Sequence, residues 1–321
     1  MKRSAAKLLV LAGVLLAGVG NGAAQAVEVL FVGNSFTHGY DPVLRFNRDN
    51  ISDLNNAGNN RQGGVPGIFK AMATSGGYQV NVSIEALSGT TLSDHLATRS
   101  TVIGQAKWQW VVLQESSTRP LTITVNGEPD SGNIAEFRSS VGSLSSLIWS
   151  KNADAKILLY ETWARPNLVP SYYANLADMQ EDVHAALSAA VRDYGLTGLA
   201  PVGSSFFEAI RQGVADNTRT AGLEGPVNLW FGDAYHASAY GSYLSALIFY
   251  QQILGADPRL LSTGSGSVAA NLGLNAVYAQ DLAEVAYLMR NIHEVPEPSV
   301  IGLLGCSAIW WVWNRRRKRG V

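Results

Sequence analysis

Two short stretches hold residues able to share nucleophilic chemistry. One is Gly33-Asn34-Ser35-Phe36-Thr37, directly after Val27-Glu28-Val29-Leu30-Phe31-Val32. The other is Asp233-Ala234-Tyr235-His236, far downstream. A serine hydroxyl becomes a nucleophile when an imidazole takes its proton, and the imidazole needs an acceptor to orient it. Asp233 and His236 stand three apart at the expected entry to a helix. That spacing lets the carboxylate reach Nδ1 while Nε2 faces the serine. An isolated Asp-x-x-His also occurs as a cap or surface contact. As a metal pair it lacks a third ligand nearby, because His38, His95, His184 and His293 are scattered.

The elements that must position these residues follow from the apolar pattern. Val27 to Val32 carries no charge after Glu28 and reads as a strand buried on both faces of a parallel sheet. Ligand sites in such sheets lie at the carboxyl ends of the strands, which is where Ser35 falls. Further strands are expected at 78–87, 108–113, 156–160 and 199–202. Helices are expected near 65–75, 92–103, 134–150, 171–194, 204–212, 236–254 and 275–291. Residues 40–63 are polar and Asn-rich, an irregular excursion at the mouth of the site. Strands alternating with helices predict an α/β domain over 27–294, with about five parallel strands between helical layers.

Gly33-Asn34-Ser35-Phe36, Gly89, Gln114 and Asp233-x-x-His236 together resemble the SGNH/GDSL hydrolase superfamily. More narrowly they look like a branch with Gly-Asn-Ser-Phe-Thr at the nucleophile and Val-Val-Leu-Gln-Glu at the third block. The resemblance spans roughly 27–255. It implies a three-layer α/β/α flavodoxin-like fold and hydrolysis of esters, often acyl groups on carbohydrates. It implies Ser35 as nucleophile, His236 as general base and acid, and Asp233 as the group that orients His236. The oxyanion hole would be formed by Ser35, Gly89 and Gln114. Gln114 stands where the superfamily has the asparagine of Gly-x-Asn-Asp, and its carboxamide is also an N–H donor. No cofactor or metal is implied. The Gly-x-Ser-x-Gly elbow of α/β-hydrolases is absent around Ser35.

Other side chains near these motifs are candidates for substrate contact. His38 is either such a contact or a solvated loop histidine. Tyr40, Trp163 and Trp230 either stack on a sugar ring or belong to the core or rim. Glu115 is expected to pair with Arg119 or Arg165.

The chain of 321 residues has a formal net charge of −1, but the charge is unevenly placed. Lys2, Arg3 and Lys7 open the chain, and Arg315 to Arg319 nearly close it. Without these eight and Glu297, residues 27–294 keep 16 basic and 24 acidic residues, an acidic domain with no nucleic-acid surface. Residues 1–26 read as a secretory signal: a basic start, apolar Leu8 to Val19, and Ala24-Gln25-Ala26 for cleavage. The lone Cys306 excludes a disulfide in the domain. Residues 295–321 run from Val295-Pro296-Glu297-Pro298 through an apolar helix at about 299–313 to a basic tail at 315–319. This order resembles the PEP-CTERM sorting signal, which implies recognition by an exosortase-type processing enzyme. Basic residues beyond the helix predict a cytoplasmic tail, with the domain on the periplasmic or outer side. The expected protein is an exported serine esterase, held by its C-terminal helix and acting on acylated carbohydrate or a small ester. The alternatives are a non-catalytic binding protein of the extracellular matrix and an acyltransferase.

Overall fold

A computed structural model of the chain describes residues 26–125, 131–216 and 226–291. The first element, β1 (Val27–Gly33), lies in the middle of a six-stranded sheet. Its partners are β3 (Val80–Ala86) on one side and β4 (Trp110–Leu113) on the other. Beyond β3 comes β2 (Ser52–Asp53), and beyond β4 come β5 (Lys156–Tyr160) and β6 (Gly198–Ala200). The order is β2-β3-β1-β4-β5-β6, and every pairing is parallel.

Alternation along β1 divides the core. Val29 and Phe31 face one apolar cluster, and Leu30 and Val32 face the other. The first cluster takes buried residues of α2 (Gly64–Ser75), α6 (Val202–Arg211), α7 (Ala239–Leu254) and α9 (Ala276–Leu288). The second takes those of α3 (Leu92–Ile103), α4 (Ile134–Lys151) and α5 (Leu176–Tyr194). All four side chains from Val29 to Val32 are at most 1% exposed. That explains the unbroken apolar run: a central parallel strand has no wet face. Helices therefore cover both sides of the sheet, as the alternating pattern predicts.

The structure corrects several boundaries. The described residues form six strands, because the excursion after Ser35 contains β2, which extends the edge with Ser52 beside Ser83 and Asp53 beside Ile84. Two residues are too few to show any periodicity. Asn175 accepts the N–H of Asp178 and starts α5 there, five residues after the expected Ser171. Ser238 caps α7, so the Asp233–His236 pair lies in the turn before the helix. No described helix is long and apolar enough to cross a membrane. The expected span at 299–313, and nearly all of the expected signal over 1–26, lie outside the described residues.

Candidate active site

Ser35 opens a single helical turn, α1 (Ser35–His38), at the carboxyl end of β1. Asn34 begins that turn by accepting the Phe36 N–H on Oδ1 at 3.1 Å. Its Nδ2 donates to the carbonyl of Thr90 at 2.9 Å, tying the Ser35 turn to the loop after β3. Gly33 must be glycine: a Cβ there would collide with Gln114 Oε1 and Thr37 Oγ1.

Gln114 is fully buried and does not have the role expected for it. Its Oε1 accepts the Asn34 N–H and the Thr37 hydroxyl, both at 2.9 Å. Its Nε2 donates to Asn34 Oδ1 at 3.0 Å and to the Glu115 carbonyl at 2.6 Å. Both N–H bonds are thereby used, and none is left for an oxyanion. The extra methylene of glutamine lets the carboxamide reach under the serine turn, where it acts as a buttress.

The second motif arrives from the loop between α6 and α7. Asp233 Oδ1 accepts the N–H groups of Tyr235 (2.9 Å) and His236 (3.0 Å), folding the loop around its own carboxylate. Ala234 accommodates the tight bend at φ 62°. Asp233 Oδ2 then lies 2.7 Å from His236 Nδ1, and His236 Nε2 lies 2.8 Å from Ser35 Oγ. The carboxylate only accepts, so Nδ1 carries the proton and Nε2 is free to accept from the Ser35 hydroxyl. His236 is 4% exposed and Ser35 9%. Burial lowers the His236 pKa below its ordinary 6.5, partly offset by the bond to Asp233. Burial pushes the Asp233 carboxyl up, but the His236 ring and the two backbone N–H groups outweigh it and hold the pKa low. Ser35, Asp233 and His236 are thus brought into one continuous relay.

Gly89 lies in the exposed Ser88-Gly89-Thr90 loop after β3, at φ 74°, a backbone region that suits glycine. Among the described residues neither the Ser35 N–H nor the Gly89 N–H has a hydrogen-bond acceptor. The loop is fastened by two buried histidines. His38 reaches Ser88 Oγ with Nε2 at 3.0 Å, while His95 reaches Thr90 Oγ1 with Nε2 at 3.0 Å and the Gly33 carbonyl at 2.8 Å. His38 is only 3% exposed, so it is not a solvated loop residue. Behind His95, the fully buried Glu85 carboxylate sits 3.3 Å from Nδ1 and 3.4 Å from Arg99 Nε. Sequence reasoning missed this clamp, since no local pattern pairs His38 with Ser88 or His95 with Thr90.

The aromatic candidates separate cleanly. Trp163 is fully buried, stacks between Phe36 and Phe206, and donates its indole N–H to the Tyr235 carbonyl. Trp230 is 1% exposed and donates to the Ala164 carbonyl. Neither can stack on a sugar; they pack beneath the histidine loop. Tyr40 stays at the mouth, its ring 4.4 Å from His236, with Phe231 beside it at 5.4 Å. Glu115 takes its hydrogen bonds from the Leu92 and Ser116 N–H groups rather than from the arginines expected for it. Burial raises its pKa to about 7. Arg165 instead lies over the Tyr235 ring and donates to Asn167 and Ser117. Among the described residues no three His, Cys, Asp or Glu side chains group to hold a metal ion.

No family model matches the chain, and no curated protein matches it in sequence. Solved structures match it in fold. A GDSL-like lipase from Parabacteroides merdae aligns with a TM-score of 0.51 at 14% identity, over 72% of this chain and 96% of that one. A variant of the acetyl-xylooligosaccharide esterase Axe2 from Geobacillus stearothermophilus aligns with a TM-score of 0.50 at 13% identity, over 71% and 94%. LAE5, an α/β hydrolase enzyme from the metagenome of Lake Arreo, aligns with a TM-score of 0.50 at 15% identity, over 70% and 94%. The chain shares the fold of these hydrolases.

Proposed function

We propose that this protein is an exported serine esterase that removes O-acyl groups from extracellular polysaccharide or related esters. The observation that carries this reading is the contact of His236 Nε2 with Ser35 Oγ at 2.8 Å, with Asp233 behind the imidazole. Ser35 Oγ attacks the ester carbonyl as its proton passes to His236 Nε2. The carbonyl π electrons move onto oxygen, which the N–H groups of Ser35 and Gly89 receive. His236 then protonates the departing alkoxide, leaving an acyl-serine. Water, deprotonated by His236, attacks that ester in turn, and the acid leaves as Ser35 regains its proton. Throughout, Asp233 holds the imidazole in place and stabilises its charged form.

Two features support a saccharide ester: the acetyl-xylooligosaccharide esterase among the structures of like fold, and the exposed aromatic at Tyr40. Export rests on residues 1–26 and 295–321, read as a secretory signal and an exosortase-recognised tail anchoring the protein transiently in the membrane. The inward-turned Gln114 favours one second reading, a non-catalytic binding protein that has lost a side-chain donor to the oxyanion. The test is hydrolysis of 4-nitrophenyl acetate by the exported domain and by its Ser35→Ala variant, with fluorophosphonate labelling alongside. Turnover and labelling that both vanish with Ser35 support the esterase. Equal rates for the two proteins eliminate it, and an unlabelled native serine supports the binding protein.

A further inference from the structure

Six large apolar side chains stand out as exposed among the described residues, and two of them, Tyr40 (37%) and Phe231 (42%), lie at the candidate active site. They come from segments far apart in the chain, yet their ring centroids are 5.4 Å apart. The Tyr40 ring also meets the His236 imidazole at 4.4 Å, edge to face. Neither is exposed because its backbone is loose. The Phe231 N–H donates to the His236 carbonyl at 2.7 Å, and the Phe231 carbonyl accepts the Ala234 N–H at 3.0 Å. The Tyr40 carbonyl accepts the Leu44 N–H at 2.9 Å. The neighbouring Trp230 is buried, so the same short loop turns one aromatic inward and holds the next in water. Isolated exposed apolar residues are ordinary, whereas a touching pair held by ordered backbone, one ring of it against the His236 imidazole, marks a binding surface.

We infer that Tyr40 and Phe231 form a subsite for the alcohol half of the ester, and that this half is a pyranose ring. The inference rests on the esterase reading of Ser35 and His236. His236 returns its proton to the departing alkoxide, so the alcohol must leave beside the imidazole, where the Tyr40 ring stands with Phe231 at its side. The acyl oxygen lies instead toward Gly89. One face of a pyranose is lined with C–H bonds whose hydrogens are slightly positive, complementary to the negative face of an aromatic ring. An alkyl chain gains most where a groove encloses it, whereas Tyr40 and Phe231 keep 37% and 42% of their surface open. The carboxylate of Asp41, next to Tyr40 in the chain, pairs with Arg45 at 3.2 Å, and that of Asp233 holds His236 at 2.7 Å.

The experiment compares tri-O-acetyl methyl β-xylopyranoside with ethyl acetate, whose alcohol is too small to reach both rings. In Phe231→Ala and Tyr40→Ala, the ratio of kcat/KM for the xyloside to that for ethyl acetate is expected to fall about tenfold, the loss of one good aromatic contact. Phe231→Tyr should restore the ratio. Binding of the same xyloside to the inactive Ser35→Ala protein, followed by NMR titration, should weaken by a similar factor when Phe231→Ala is added. An unchanged ratio, or equal losses on both esters, overturns the subsite. Phe231-dependent binding without turnover of either ester by the native protein would leave the subsite standing and remove the esterase reading instead.

Discussion

His38 Nε2 and Ser88 Oγ meet at 3.0 Å, joining the turn that carries Ser35 to the loop that carries Gly89. The protonation state of this contact follows from its other end. His38 Nδ1 lies 2.9 Å from the Gly39 carbonyl, which only accepts, so Nδ1 bears the proton and Nε2 accepts from Ser88. Burial lowers the His38 pKa, which keeps this neutral form populated near neutrality.

Removing that link is expected to cost turnover more than binding. His38→Ala should lower kcat about tenfold or somewhat more, less than the ~10²–10³ of deleting an oxyanion donor outright, with KM little changed. Ser88→Ala should do the same. The double variant should show no further loss, because the two side chains act through one bond. Additive losses in steady-state kinetics would show that the contact does not hold the loop.

The acid limb of kcat/KM should report His236. Hydrolysis needs the neutral imidazole, and burial places its pKa below the ordinary 6.5. Activity should therefore persist as pH falls through 6.5 and decline only at lower pH. Asp233→Asn should lower kcat by ~10³-fold or more, since a carboxamide neither fixes the tautomer nor balances the imidazolium. A pH-rate profile with its acid midpoint above 6.5 would contradict the first expectation.

Gln114 offers a direct contrast between two roles. As a buttress, its loss leaves the Asn34 N–H and the Thr37 hydroxyl buried without an acceptor, at about 1–3 kcal/mol. Gln114→Ala should therefore lower the melting temperature as well as activity. Gln114→Glu should be no better, because a carboxylate oxygen would replace Nε2 against two acceptors, Asn34 Oδ1 and the Glu115 carbonyl. A lost kcat with an unaltered melting curve would point back to an oxyanion donor.

Glu115 should make stability fall with rising pH. Its pKa is raised by burial from 4.5 to about 7, so the folded protein holds a proton that the unfolded chain releases. The stability this contributes is present below pH 4.5 and is lost as pH climbs toward about 7. Glu115→Gln keeps the acceptor for the Leu92 and Ser116 N–H groups and does not titrate. Its melting temperature should gain on the native protein across that window and then stay level. A constant difference at all pH values would show that Glu115 titrates alike in the folded and unfolded states.

Much of the layered α/β/α scaffold was legible in the residue pattern. A strand buried on both faces must be apolar at successive positions, and Val29 to Val32 are. The Asp-x-x-His spacing and the ends of the central strands are local matters, written within a few residues of one another. The nucleophile candidate could be placed at a strand's carboxyl end for the same reason.

What only the tertiary structure decided is which side chains meet across long separations. His38 and Ser88 lie 50 residues apart, and Gln114 and Asn34 lie 80 apart. His236 lies 201 residues from Ser35, a pairing that the family resemblance implies and that no local pattern specifies. Parallel strands bring their carboxyl ends together without leaving a mark in the local sequence. Whether Gln114 turned toward an oxyanion or under the serine, and whether Trp163 or Tyr40 faced the solvent, depended on packing against those distant neighbours. A residue's type limits the chemistry available to it; its three-dimensional surroundings determine which atoms remain free to do it.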